Sequence, residues 1–174
     1  MSLPPATASQ CACALFEPSQ VAQIARATVL AGLPLAQKYF DHYLVGGGKT
    51  MNADLEDVIR RDPKVRRKLK ALVKKHRSGF TKIHQSDYAV RDFQFAFGAI
   101  DRLDFEVNKA SDLVHLWFMD RYEWHPVGFG YTKFRDDTLR SSNCLHAAMV
   151  ELKSSGAADY WMVGDSVLPL SLLN

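Results

Sequence analysis

No apolar run in this chain approaches the ~20 residues that a membrane-spanning helix needs, so a helical span is excluded. The opening stretch, MSLPPATASQCACALF, has neither the positive n-region nor the continuous apolar core of a secretory signal, so export by the Sec route is not expected. Cysteine is scarce: Cys11, Cys13 and Cys144 are all there is. An odd, sparse set builds no disulfide framework, and a Cys-x-Cys pair supplies only half of a tetrahedral zinc site. Internal repeats and low-complexity segments are also missing.

What remains has ordinary globular proportions, 174 residues with 47% hydrophobic and 24% charged. That length suits one sizeable core, so the expected organisation is an irregular leader over 1–17 and a single domain over 18–174. The net charge of +3 hides a division: residues 50–82 hold eleven Lys/Arg against four Asp/Glu, whereas 83–174 hold eight against thirteen. A basic segment of this kind meets an anionic membrane surface or nucleic acid, or is simply a solvated helix face. Its few interleaved aromatics argue against a nucleic-acid platform, so no nucleic-acid partner is expected.

Local signals give the order of elements. Ser19 can cap a helix of about 20–30, and Pro34 opens a second over about 34–44, stopped by Gly46-Gly47-Gly48. Asp62-Pro63 caps a third, to about Arg77, with Val65, Leu69, Leu72 and Val73 on one face and the basic residues on the other. After Gly79 the apolar period changes to two: Phe93, Phe95 and Phe97, then Leu103, Phe105 and Val107, then Val114, Leu116 and Phe118, with a hairpin loop at 108–112. Residues 126–141 read as a Gly/Pro-punctuated loop. Ser142 or Asn143 caps a further helix ending at Gly156, and a strand pair over 159–170 turns at Gly164-Asp165. Helices followed by a sheet with one inserted helix mean an α+β fold, with a curved antiparallel sheet or half-barrel.

The richest chemistry is FMDRYEWHP at 118–126, at the end of an alternating strand. Asp120 and Tyr122 share a face if the strand continues, with Glu123 across the bend. Two acids near one hydroxyl can hold a divalent metal or divide acid and base roles, with Asp120 and Glu123 as the metal ligands. The plainer reading is a solvated strand end with a tyrosine packed at its edge. His146, in the first turn of a helix capped at 142–143, would be a neutral, base-competent imidazole, or a helix-face histidine bonded to the loop. His125, before Pro126, reads as a loop residue. Cys144 at the same helix start raises a rival, a cysteine hydrolase acting on peptidoglycan, although Cys144 and His146 are two apart and do not face each other.

Several stretches together resemble the activity domain of the colicin M-like bacteriocins. They are HYLVGGGKTMNADLEDV at 42–58, SDYAVRDFQFAFGAI at 86–100, DRYE at 120–123 and LHAAMVELKSSGA at 145–157. The resemblance covers about three quarters of the chain in collinear order. It implies an antibacterial toxin that hydrolyses the peptidoglycan precursor lipid II between undecaprenyl and pyrophosphate, with Mg2+, at the membrane surface in the periplasm of a target bacterium. It places the family's catalytic residues on Asp120, Tyr122, Glu123 and His146. Without a Sec signal, such a protein would be made in the cytoplasm and delivered by a carrier such as a type VI secretion apparatus. A producing cell would need a cognate immunity protein.

Two positions depart from the family pattern. Glu123 stands for an aspartate, one methylene longer, and Ala147 stands where the family has an arginine that would clamp the leaving pyrophosphate. Arg121 and Arg140 are the candidate substitute cations. If neither serves, the chain is an inactive lipid II-binding relative. An arginine restored at 147 is expected to raise turnover.

Overall fold

Helix starts in this protein are set by proline and by carboxylate caps. The computed structural model describes residues 16–124 and 138–173, with side chains described from 145 onward in the second stretch. In chain order the elements are α1 (Pro18–Ala27), α2 (Pro34–Val45), β1 (Met51–Asn52), α3 (Leu55–Arg61), α4 (Pro63–Lys75), β2 (Ser78–Ile83), α5 (Arg91–Phe97), β3 (Ile100–Asn108), β4 (Leu113–Tyr122), α6 (Thr138–Leu152) and β5 (Tyr160–Pro169). Proline occupies the first helical position of α1, α2 and α4, where its missing N–H costs nothing.

The chain forms two compact units, one of residues 1–48 with 123–159 and one of 49–122 with 160–174. The first is helical, built from α1, α2 and α6. Its core holds Tyr39, Phe40 and Tyr43 of α2 and Ala147, Ala148 and Met149 of α6. The Tyr43 hydroxyl donates to the Met149 carbonyl at 2.7 Å, so a buried phenol finds its acceptor on the facing helix.

The second unit carries an open five-stranded sheet in the order β1-β5-β4-β3-β2. The β1–β5 pair is parallel and the other pairs are antiparallel. Together with the helices this is the α+β fold expected, with one parallel edge added. The alternation works as read: Leu103, Phe105 and Val107 of β3 and Val114, Leu116 and Phe118 of β4 are all buried. In the hairpin loop the Asn108 side chain accepts from the Ala110 and Ser111 amides, and Asp112 takes the left-handed conformation at φ 55°.

Three expectations are corrected. Residues 91–97 form a helix, not a strand, because Phe93 and Phe97 lie at i,i+4 and are buried while Phe95 is exposed. The C-terminal stretch is one ten-residue strand, not a turned pair. Gly164 is needed there for close approach: a Cβ would overlap the Phe118 ring on β4 and press on Leu55. The helix expected from 142–143 begins at Thr138, so residues 138–141 are helical and Ser142 and Asn143 lie inside it.

Asp62 is the tightest knot of the sheet unit. Fully buried, its Oδ1 accepts from the Lys64 and Val65 amides that open α4. Its Oδ2 accepts from the Ala89 and Val90 amides just before α5, at 2.8 and 2.9 Å. Nearby, Asp87 pairs with Lys68; burial pushes its carboxyl up, but the Lys68 hydrogen bond, the His84 amide and the lysine's charge together hold it below the usual carboxylate range.

Removing the Asp62 carboxylate strands four buried or half-buried amides. Asp62→Ala is expected to lower stability by roughly 3 to 5 kcal/mol, read from urea unfolding; a loss under about 1 kcal/mol would show that water replaces the carboxylate freely. Gly164→Ala should cost about 1 to 3 kcal/mol by overpacking, and a neutral result would mean that β4 and β5 move apart without penalty.

Candidate functional site

Along β4 the core-facing row runs Val114, Leu116, Phe118, and then changes character: the next two members are Asp120 and Tyr122, both half-buried. Asp120 stands opposite Met162 and Tyr122 opposite Tyr160 on β5. The two tyrosine rings are stacked, with centroids 5.0 Å apart and planes 13° from parallel. Strand period alone therefore projects a carboxylate and a phenol from one sheet face, as DRYE suggested.

Backbone amides fix the carboxylate. Asp120 Oδ2 accepts from the Asp101 amide at 3.0 Å, and Oδ1 accepts from the Arg121 amide at 2.8 Å. The Asp101 side chain in turn pairs with Lys82 of β2. The Lys82 ammonium is held above the ordinary lysine range by its hydrogen bond to Asp101, by that carboxylate's charge and, further off, by Asp120. Two carboxylates and one ammonium thus sit at one end of the sheet, where β2 and β4 finish and β3 begins. Sequence reading missed Asp101 and Lys82. Only the cross-strand register, invisible before the strands are paired, brings positions 82, 101 and 120 together.

Of the substitute cations, Arg121 is exposed and points to the opposite sheet face from Asp120 and Tyr122, across from Trp161. Arg140 lies in α6, with its side chain outside the described residues, and His125 falls outside them too.

Glu123, His146 and Ala147 belong to the helical unit. Glu123 is half-buried. Beside it the Trp124 amide donates to Asp159 Oδ1 at 3.4 Å, and its carbonyl accepts from Lys153 Nζ at 3.0 Å. Lys153 also pairs with Asp159 at 2.7 Å, so the three residues close a small polar clamp. The Trp124 ring meets Phe40 and Tyr43 at 6.2 Å between centroids and lies edge-on to the His146 imidazole at 4.7 Å. The clamp and the indole hold the start of the 123–124 segment on the helical core, a feature with no local sequence signal.

The early start of α6 alters the reading of His146 and Cys144. His146 lies in the third turn and Cys144 in the second, where amides are paired within the helix and the terminal dipole has faded. The cause proposed for a neutral imidazole and for an activated thiol is therefore gone. His146 is half-buried against Trp124, and Ala147 is only 4% exposed, facing the helical core.

Among the described residues no group of three or more His, Cys, Asp or Glu is placed to hold a metal ion. Of the two acids expected to hold one, Asp120 supplies a single carboxylate in the sheet unit. A cavity of about 240 Å³ in the helical unit, lined by Ser19, Ala22, Gln23, Arg26, Leu44 and Leu152 among others, contains none of the expected site residues. Comparison of the chain with protein-family models, with curated proteins and with solved structures finds no match.

The burial of position 147 opposes the idea of restoring a clamp there. Ala147→Arg should force a guanidinium into a packed helical core and lower stability by about 2 kcal/mol or more, measured by denaturant unfolding. Native-like stability together with a gain in turnover would show instead that the longer side chain escapes to the site.

Proposed function

We propose that the protein is an antibacterial hydrolase of colicin M type, cleaving lipid II between undecaprenyl and pyrophosphate and so blocking cell-wall synthesis. The observation that carries this reading is the polar turn of the β4 core-facing row, where Asp120 and Tyr122 replace the apolar residues that precede them. A carboxylate pinned by two amides is oriented before substrate arrives, which is what an acid, base or metal-holding group requires. Lys82, beyond Asp101, supplies a cation on the same side of the chemistry and is the candidate for the role the family gives to the arginine at position 147. The Mg2+ that the family resemblance implies would supply charge neutralisation at the pyrophosphate, with Asp120 the residue of the sheet unit that would help to hold it. The same reading includes an immunity protein in the producer, a secretion-apparatus carrier and action in the target's periplasm.

A second reading, an inactive lipid II-binding relative, is favoured by one observation: the family's arginine position holds a buried alanine. The cysteine hydrolase gains no such support, since Cys144 lies within α6 and not at its start.

Incubation with lipid II and Mg2+ should release undecaprenol and the pyrophosphorylated disaccharide peptide. Asp120→Ala or chelation should lower turnover by at least about a hundredfold, while Cys144→Ser leaves it within about twofold. Intact lipid II with bound protein would favour the inactive relative. Loss of activity in Cys144→Ser with indifference to chelator would overturn the phosphoesterase reading.

A further inference from the structure

Residues 63–82 carry nine lysines and arginines and no aspartate or glutamate. Four of the nine are engaged within the protein. Lys64 donates to the Ser86 carbonyl, Arg66 to the carbonyls of Ile59 and Arg60, Lys68 to Asp87 and the Lys82 carbonyl, and Lys82 to Asp101. The side chains of the other five, Arg67, Lys70, Lys74, Lys75 and Arg77, make no hydrogen bond or ion pair among the described residues. Arg67, Lys70 and Lys74 stand at i, i+3 and i+7, on the side of α4 opposite its buried Val65 and Leu69. Like charges at these spacings oppose the helix that carries them. By contrast, α3 next door neutralises its arginines locally, Arg60 on Glu56 and Arg61 on Asp57.

We propose that this stripe of α4 is a docking surface for an anionic phospholipid bilayer, bound peripherally through its headgroup phosphates. The apolar side of α4 is committed to the core, so the helix cannot insert as a free amphipathic helix does, and attraction is electrostatic. The cations are carried on a straight helix side about 10 Å long, which suits a flat array of phosphates. Phe80 is the single Phe, Tyr or Trp of 63–82. It pairs with Asp104, between the buried Leu103 and Phe105 of β3, so its ring lies on the sheet face away from α4, under the Arg102 guanidinium at 4.6 Å, and takes no part in the stripe. A single ring makes no stacking platform for single-stranded nucleic acid. The surface is separate from Asp120 and stands without the lipid II reading.

The test is co-sedimentation of the full-length protein with vesicles of phosphatidylglycerol and phosphatidylcholine, against vesicles of phosphatidylcholine alone. No lipid II is present, so turnover plays no part. Partitioning should favour the anionic vesicles by at least about tenfold and fall with added salt, each cation being worth about fivefold. Neutralising the stripe with Arg67→Gln, Lys70→Gln and Lys74→Gln together should cost about a hundredfold, and Lys70→Gln alone about fivefold, with unchanged circular dichroism. Arg60→Gln, which removes a cation already paired, should stay within about twofold. Equal binding to neutral vesicles, or anionic binding that survives the triple substitution, would overturn the proposal. So would tighter, salt-sensitive binding to duplex DNA through the same residues, which would assign the stripe to nucleic acid.

Discussion

The sheet unit depends on one buried carboxylate. Asp62 closes α3, since its own amide still donates to the Val58 carbonyl, and opens α4 with its side chain. The same side chain reaches 27 and 28 residues along the chain to the amides of Ala89 and Val90. Burying a carboxylate is costly unless its lone pairs are used, and four N–H donors use them. The direction of α4 is thereby tied to the start of α5. The chain between the two ends, α4 and β2, is closed into a loop by that junction. Hydrophobic burial supplies the driving force, but this cap sets which packing is reached.

Several features that rest on neighbours in sequence were legible in advance, although α1 starts at Pro18 behind Glu17 and not behind the expected Ser19. Pro34 and the Asp62-Pro63 pair fixed the starts of α2 and α4 to the residue, because a cap and a proline act within one turn. The alternation of β3 and β4 was equally readable, since a half-buried strand writes its period directly into the chain. The misreadings share a cause. Phe93, Phe95 and Phe97 fit a period of two, but Phe93, Ala96 and Phe97 also fit a helical face, and short apolar runs support both. Arg91 over the Phe95 ring at 5.2 Å leaves the odd member of the trio stable on the outer side. Gly164 fits a turn until its strand is paired, when the Phe118 ring shows that close approach is the constraint.

The candidate site divides along the same line. Asp120 and Tyr122 could be placed on one face from strand period alone, and they are. Their partners could not: Asp101 comes from the antiparallel strand, Lys82 from the next one out, and Tyr160 from a strand that begins 38 residues after Tyr122. The environment expected for His146 failed because it hung on a helix boundary, and a shift of four or five residues removes a terminal effect altogether. What replaces it is an aromatic neighbour, Trp124, held by Lys153 and Asp159.

Stability and site chemistry pull in different directions at the end of β4. A leucine at 120, opposite the buried Met162, would extend the apolar row and add to the core, and a half-buried carboxylate forgoes that gain. Part of the loss is offset, because the carboxylate accepts the Asp101 amide just past the last paired residues of β3 and β4, where the ladder would otherwise leave that donor to water. Capping a ladder end accounts for one oxygen. The second is turned back on the Arg121 amide, which orients the group without joining another element. Tyr122, two residues on, adds a phenol to the same face, with its ring stacked on a buried Tyr160. A strand that only needed to stop could do so with one polar residue. Two in register, one charged and amide-bound and one held by stacking, make a preorganised pair, and this local departure from the apolar pattern is what the proposed site rests on.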